Sequence, residues 1–437
     1  MPVDDAHARA RLAAAVPPNV REVCRALSAA GHQAVTVGGA VRDALLGRTP
    51  GDWDVATAAT PDQVIALFKR TVPTGIQHGT VTIVTGRGIE SHVEVTTFRG
   101  EGAYTDARRP DHVRFGVPLV EDLARRDFRV NAMAYDPAAD EIIDPYDGRR
   151  DLDERRLRAV GPTGDVYQDA VARFTEDGLR VMRAVRFAAA LEFTLDPDTE
   201  RGIEPALPSL ARVSRERVSD ELRKLLAARM PSLGLRIAER TRILTVIAPE
   251  LAAGLTGPEV IAHWLARVDA APEAVRLGAM FAELAPRVAS TRLDRRLVDH
   301  VNQVLKTLKF SNDDAALAAT LVALAQATLV TEWTPTEVRK LLGDVTRPRV
   351  TAAQAFLVAD GASALADQVV AVTADPIAIG ELAVAGKDLI AALDMKPGPQ
   401  VGRILAALLD RALSDPSINT REGLIAIARG LELELAR

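Results

Sequence analysis

The chain has 437 residues, 48 % hydrophobic and 26 % charged, with a formal net charge of −5. The length calls for about two to four domains, and the negative balance argues against indiscriminate polyanion binding while leaving room for a local basic groove. The only cysteine, Cys24, excludes a disulfide framework and a cysteine metal cluster, and the 7 histidines are scattered without metal-ligand spacing. Aromatic residues are scarce at 4 %, and Ala, Leu, Arg and Glu dominate, which predicts mostly helix. The N-terminal residues carry acids early and lack a long apolar core, unlike a signal peptide. No apolar run reaches the ~18–20 residues that span a bilayer. A soluble, cytoplasmic protein with no membrane partner is expected.

In chain order, residues 20–30 read as an amphipathic helix stopped by Gly31. Strand-like runs follow at 33–37, 52–57, 80–85 and 92–98, the last two joined by Gly86-Arg87-Gly88 as a hairpin. A helix over 61–69 lies between the second and third runs, with Thr60 as N-cap and Pro61 at its first position. These elements make a small α/β head of roughly a hundred and forty residues. From about Asp169 onward β alternation fades, and Ala/Leu/Arg-rich helices alternate with Pro, Gly or Asp breaks without a fixed repeat.

Residues 37–57, VGGAVRDALLGRTPGDWDVAT, carry the most chemistry. The strand ending in Gly38 and Gly39 lets backbone N–H groups approach a phosphate, and the helix that follows carries Arg42. Asp52 and Asp54, two apart on a strand, are expected on one face. Like charges that close are tolerated best with divalent cations between them. Carboxylates for metal beside a phosphate cradle suit nucleotidyl transfer. A dinucleotide fingerprint would need G-x-G-x-x-G, which is absent.

Glu94, in the alternating run 93–99, is either a third carboxylate facing Asp52 and Asp54 or a cross-strand charge on a solvated face. Residues 100–115, GEGAYTDARRPDHVRF, form a polar segment too long for a hairpin turn, with the composition of a lid. Arg125, Arg126 and Asp127 suit a phosphate or ribose contact, or else form a surface ion cluster. In RFTEDGLRVMRAVRF, Asp177 and Arg180 are neighbours if the run is one helix. They are then a surface ion pair, or a device for reading a base edge. A carboxylate beside a guanidinium matches the amine and ring acceptor shared by cytosine and adenine, and mismatches uracil and guanine. On a straight helix Arg183 continues the row, while Arg186 falls nearly opposite Asp177.

These motifs, in this order, resemble class II tRNA nucleotidyltransferases (CCA-adding enzymes) and the related bacterial poly(A) polymerases. The resemblance rests on VGGAVRD, GDWDVAT, HGTVTIV, EVTTFR, RRDFRVNAMAY, IDPYDGRRDL, RFTEDGLRVMRAVRF, SRERVSDELRKLL and DLIAALDMKPGPQVGRIL, strongest over residues 31–226. It implies an α+β protein: a polymerase-β-like head at 1–145, then an elongated all-helical neck at 146–205, body at 206–275 and RNA-binding tail at 276–437. It implies that Asp52 and Asp54 hold Mg²⁺, that Gly39 and Arg42 contact the triphosphate, and that Arg126 and Asp127 meet the ribose. Asp177 and Arg180 become an amino-acid template for CTP and ATP, with Arg183 and Arg186 as further nucleotide contacts. The expected partners are tRNA, CTP and ATP. The 100–115 segment matches a flexible loop that CC-only enzymes lack, which favours CCA addition, with A-only addition second and poly(A) synthesis third. A catalytically dead RNA-binding relative is the rival from another class. No His-Asp pair in that order occurs anywhere, so no HD phosphohydrolase activity is expected.

Overall fold

The computed structural model describes residues 5–88, 91–100 and 114–435. The chain divides into two units, Met1–Ile247 and Ala248–Arg437. The first begins with helices α1 (Asp5–Ala15) and α2 (Pro18–Ala29), the latter closed by Gly31 at φ +84°. A seven-stranded sheet follows: β1 (Ala34–Val37), β2 (Asp54–Thr57), β3 (Thr71–Gly75), β4 (Thr80–Val84) and β5 (His92–Thr97), with the short hairpin β8 (Ala134–Asp136) and β9 (Glu141–Ile143). A two-rung ladder of β6 (Arg99–Gly100) and β7 (Arg114–Phe115) lies apart from it. The sheet order is β3-β4-β5-β2-β1-β8-β9, and only β2 and β5 pair in parallel.

Alternation explains which face is buried. Val35 and Val37 of β1 join Ala56, Phe98, Ala132 and Ala134 in one apolar cluster, capped by Leu119 and Leu123 of α5 (Leu119–Ala124). Between β1 and β2 runs α3 (Gly39–Leu45), and α4 (Pro61–Leu67) starts on a capping box in which Thr60 and Gln63 exchange hydrogen bonds. The hairpin expected at Gly86-Arg87-Gly88 joins β4 to β5, with Val84 opposite His92. Three strands of this sheet escaped the sequence reading. β3 carries Pro73 at the sheet edge, and β8 and β9 are three residues each, too short for alternation to register. Of the 100–115 segment, positions 101–113 lie outside the described residues, while its ends pair, Arg99 with Phe115 and Gly100 with Arg114.

Helices complete the first unit: α6 (Gly148–Asp153), α7 (Val166–Glu176), α8 (Leu179–Leu191), α9 (Pro197–Arg201), α10 (Ile203–Ala211), α11 (Arg215–Leu226), α12 (Pro231–Arg240) and α13 (Ile243–Ile247). Two short strands, β10 (Arg156–Leu157) and β11 (Thr194–Leu195), pair in parallel inside the 146–205 span that was expected to be all-helical. Helix α8 is the central member, burying Val181, Met182, Ala184 and Val185 against α11 and α12. The reading of 173–187 as a single helix is corrected: α7 ends at Glu176, Asp177 is extended at φ −132° and ψ 103°, and α8 restarts after Gly178. A Cβ at Gly178 would sit on the backbone of Ser209 and Leu210, so the break is packed directly against α10.

The second unit is helical throughout its described residues. Trp264 is buried and donates to the Met280 carbonyl at 2.8 Å, and buried Arg267 pairs with Glu283 and Asp360 at 2.8 and 2.9 Å. Its last helices close on Leu389, Ile404, Leu408 and Leu424. Among the described residues no helix is long and apolar enough to cross a membrane.

Candidate active site

A cleft of about 680 Å³ opens between the sheet and α8, within the first unit. Among the described residues it is lined by eight arginines and five carboxylates, an excess of positive charge suited to a polyanion. Gly38 ends β1 at φ +78°, a conformation that favours glycine, and a Cβ there would come within 2.9 Å of Arg126 Nη1. The bare backbone of Gly38 and Gly39 therefore faces the cleft beside Arg126 and Arg42. Arg42 is buried, donating from Nη1 to Asn131 Oδ1 at 2.5 Å and from Nε to Asp43 at 2.8 Å. Arg126 Nε is buried and has no hydrogen-bond partner among the described residues.

Asp54 and Glu94 line the cleft from the parallel strands β2 and β5, where Val55 lies opposite Val95. Glu94 thus stands on the strand neighbouring Asp54. Asp54 is open to solvent at its surface like Asp52, yet the protein packed around it desolvates the carboxyl and pushes it above its usual range, with Glu94 and Asp52 adding to the rise and Arg126 opposing it. Asp52 is not on the strand, which corrects the expectation of two carboxylates on one strand face. β1 ends where it turns into α3, so Asp54, opposite Val37, makes the last rung and Asp52 has no strand to pair with. Asp52 is exposed just outside the cleft lining. No group of three His, Cys, Asp or Glu side chains close enough to cage a metal occurs among the described residues. The donor set nevertheless fits a hard divalent ion. Such an ion takes one or two carboxylates and completes its shell with substrate phosphate and water oxygens. The charge crowding at Asp54 is what it would relieve.

The opposite wall comes from α7, α8 and α11. Asp177 does not pair with Arg180. Its carboxylate accepts the Leu179 N–H at 3.0 Å and Arg217 Nη2 at 2.9 Å. Arg180 donates to Glu176 at 2.7 Å and to the Arg125 carbonyl at 2.8 Å. Because Asp177 is off the helix, the straight-helix argument that set Arg186 opposite it fails, and Asp177, Arg180, Arg183 and Arg186 all line the cleft. Arg183 grips Asp127 through Nε at 2.7 Å and Nη2 at 2.6 Å, and Asn131 donates to the same carboxylate at 2.8 Å. Burial alone would raise the Asp127 carboxyl; Arg183 and Asn131 outweigh it and hold it down at about 2. Burial lowers the Arg125 guanidinium to about 10, with Arg99 and Arg126 adding to the fall and Asp122 opposing it.

Sequence reasoning assigned no role to Arg217, Glu221, Asp122 or Asn131. Glu221 holds Arg186 Nε at 2.5 Å, and Asp122 receives Arg125 and Arg126 at 3.3 and 3.4 Å. A signal existed for the first two: Arg217 and Glu221 are four apart on α11, with charges opposite to those of Asp177 and Arg186.

Comparison with known proteins fixes the family. Residues 34–158 match the poly(A) polymerase head domain, 192–255 the RNA- and SrmB-binding segment of polymerase A, and 295–428 the tRNA nucleotidyltransferase domain 2. The CCA-adding enzyme of Lactiplantibacillus plantarum is 37% identical over 425 residues, 94% of this chain and 95% of the relative. The chain belongs to the CCA-adding enzyme family. Over 244 residues, 56% of each chain, identity to the CCA-adding enzyme of Leuconostoc mesenteroides is 44%. The solved Bacillus stearothermophilus CCA-adding enzyme in complex with CTP superposes with TM-score 0.70 at 32% identity, covering 96% of this chain and 99% of that one. The Thermotoga maritima CCA-adding enzyme complexed with tRNA shares the fold, with TM-score 0.65 at 18% identity over 97% and 98% of the two chains. The CCA-adding family's α+β architecture, a polymerase-β-like sheet head followed by helices, is the one seen here.

Proposed function

We propose that this protein adds C, C and A to the 3′ end of tRNA without a nucleic-acid template, using CTP, ATP and Mg²⁺. The observation that supports it best is a single cleft holding Asp54 and Glu94 on one side and Asp177, Arg180, Arg183 and Arg186 on the other, beside the Gly38-Gly39 turn. Family membership supplies the reaction class. In this reading Asp54 and Asp52 would hold the two divalent ions of a two-metal nucleotidyl transfer, and Glu94 adds negative charge on the strand beside Asp54. A bound divalent ion there supplies Lewis-acid stabilisation of the reacting phosphate and lowers the pKa of the attacking 3′-hydroxyl. Arg42 and Arg126 hold the triphosphate oxygens against the bare glycine backbone. Asp127, beside the ribose, steadies Arg183, which with Arg186 reaches the phosphate end of the nucleotide. The 3′-hydroxyl oxygen attacks the α-phosphorus, and pyrophosphate leaves.

Base choice follows from donor and acceptor order. Asp177 accepts the exocyclic amine of C or A, and Arg180 donates to the adjacent ring nitrogen; U and G present the reverse pattern. Head, neck, body and tail at 1–145, 146–205, 206–275 and 276–437 remain the division we infer, with tRNA reaching the tail and the reaction taking place in the cytoplasm. The deciding experiment is a gel assay on tRNA transcripts ending at the discriminator base, at C and at CC, with each NTP alone and with CTP plus ATP. C addition to the first two and A addition to the third are expected. Addition of A alone would install the A-adding alternative, and long A tracts the poly(A) polymerase.

A further inference from the structure

Three guanidiniums from two elements converge on one aromatic ring in the cleft. Arg186 Cζ lies 3.8 Å from the Phe187 ring centroid, Arg183 Cζ 5.0 Å, and Arg42 Cζ, carried by α3, 5.1 Å. Three cations so close repel one another. Each is tied at another edge to a carboxylate: Arg186 to Glu221 at 2.5 Å, Arg183 to Asp127 at 2.6 Å and Arg42 to Asp43 at 2.8 Å. What they share is the ring, whose negative π face attracts cations. Phe187 is only 6 % exposed, and an edge-on contact with Phe128, centroids 5.9 Å apart at 85°, fixes its plane. An aliphatic side chain would fill the same space and attract no guanidinium.

We propose that Phe187 is a positioning residue for the substrate triphosphate: its ring is the common floor that sets Arg42, Arg183 and Arg186 in register across α3 and α8. The proposal rests on the reading of this cleft as the nucleotide site. Because the floor acts on the arginines and not on the base, it affects CTP and ATP alike and leaves base choice alone. Phosphate contacts hold the nucleotide both before and during reaction, so the effect falls on KM more than on kcat.

The test compares Phe187→Leu and Phe187→Tyr with wild type. The first keeps apolar bulk without a π face, and the second keeps the ring. For Phe187→Leu, KM for both CTP and ATP should rise about tenfold, equivalent to ~1.4 kcal/mol, with kcat little changed and Phe187→Tyr close to wild type. Inorganic tripolyphosphate, titrated calorimetrically into each full-length protein without tRNA, should show the same loss and rescue. Unchanged tripolyphosphate affinity in a folded Phe187→Leu protein overturns the proposal. So does a changed ratio of CTP to UTP use, which would make the ring a base contact. Failure of the wild type to extend tRNA would instead remove the functional reading, and the tripolyphosphate titration would still report on the floor.

Discussion

At the residue scale the carboxylates of the cleft carry separable duties. Asp54 lies in the lining with Glu94, while Asp52 stands just outside it. Asp54→Ala should lower single-turnover incorporation by roughly a thousandfold or more, since several kcal/mol of transition-state stabilisation depend on the ion it would hold. Near-wild-type turnover by a variant of unchanged melting temperature would remove Asp54 from that duty. Asp127 is structural in its energetics. Its folded pKa of about 2 lies below the ordinary 3.8, so its ionised form is favoured by folding. That contribution is complete above about pH 4 and is lost as pH falls toward 2, and the shift corresponds to roughly 2 kcal/mol. Asp127→Asn should therefore be less stable than wild type at neutral pH, and the gap should narrow as pH falls from 4 to 2. Melting temperatures across that range decide it; a gap independent of pH would mean that the carboxylate's charge is not what matters. Asp177 is expected to govern base choice. Asp177→Ala should lower the CTP-over-UTP ratio of kcat/KM about tenfold or more, each mismatched base edge being worth ~1–3 kcal/mol. Arg217→Met, which leaves the carboxylate held only by the Leu179 N–H, should move the ratio the same way by less. A constant ratio with intact catalysis would leave Asp177 as a cap on α8.

At the scale of elements, the break between α7 and α8 decides which side chains reach the cleft. It exists because Gly178 lets the chain pass directly over the backbone of Ser209 and Leu210 in α10. Backbone cannot move aside as the end of a long side chain can. Gly178→Ala should cost several kcal/mol, in the range of overpacked sites that force the main chain to shift. A thermal transition within a few degrees of wild type would show that α7 and α10 part easily. The same break marks where the sequence stopped being legible. Asp54, Arg42, Arg126, Asp177, Arg180, Arg183 and Arg186 were all recognisable from residue type and order, and all line one cleft. Their geometry was not. A helical period running through 173–187 hid the extended Asp177, because nothing local distinguishes Gly178 as a packing contact from a glycine tolerated inside a helix. Likewise, the i,i+2 rule put Asp52 beside Asp54 on a strand, yet strand length is set by the partner. β1 ends at Val37, and β2 gains its first rung only at Asp54. The Thr60 cap of α4 and the β4–β5 hairpin were legible because their determinants lie within a few residues of one another.

At the scale of the whole molecule, the proposed reaction asks a chain of net charge −5 to gather two polyanions. The first unit meets this with a cleft in which arginines outnumber carboxylates. The second unit has basic positions of two kinds. Arg292 is locked on Asp344 by two bonds of 2.6 and 2.7 Å, and Arg287 reaches Glu283 at 3.6 Å. Arg295 and Arg296 are exposed in the first turn of the helix Arg295–Thr307, at the start of the segment matching the tRNA nucleotidyltransferase domain 2. The Asp294 carboxylate caps this turn, accepting the Arg296 and Leu297 N–H groups at 2.9 and 3.4 Å, and the two exposed cations beside it are placed to meet an anionic partner. If that partner is the tRNA backbone, the double substitution Arg295→Glu and Arg296→Glu should raise KM for tRNA and leave KM for CTP unchanged, because every cleft residue belongs to the first unit. Each lost phosphate contact should also lower the slope of log affinity against log salt by about 0.7 to 0.9, so the pair should reduce it by about 1.5. Binding of tRNA by the wild-type and substituted proteins across a salt series measures both. An unchanged slope and KM would make this turn an ordinary solvated helix start, and a parallel rise in KM for CTP would mean that the substitutions disturb the fold and not the RNA contact.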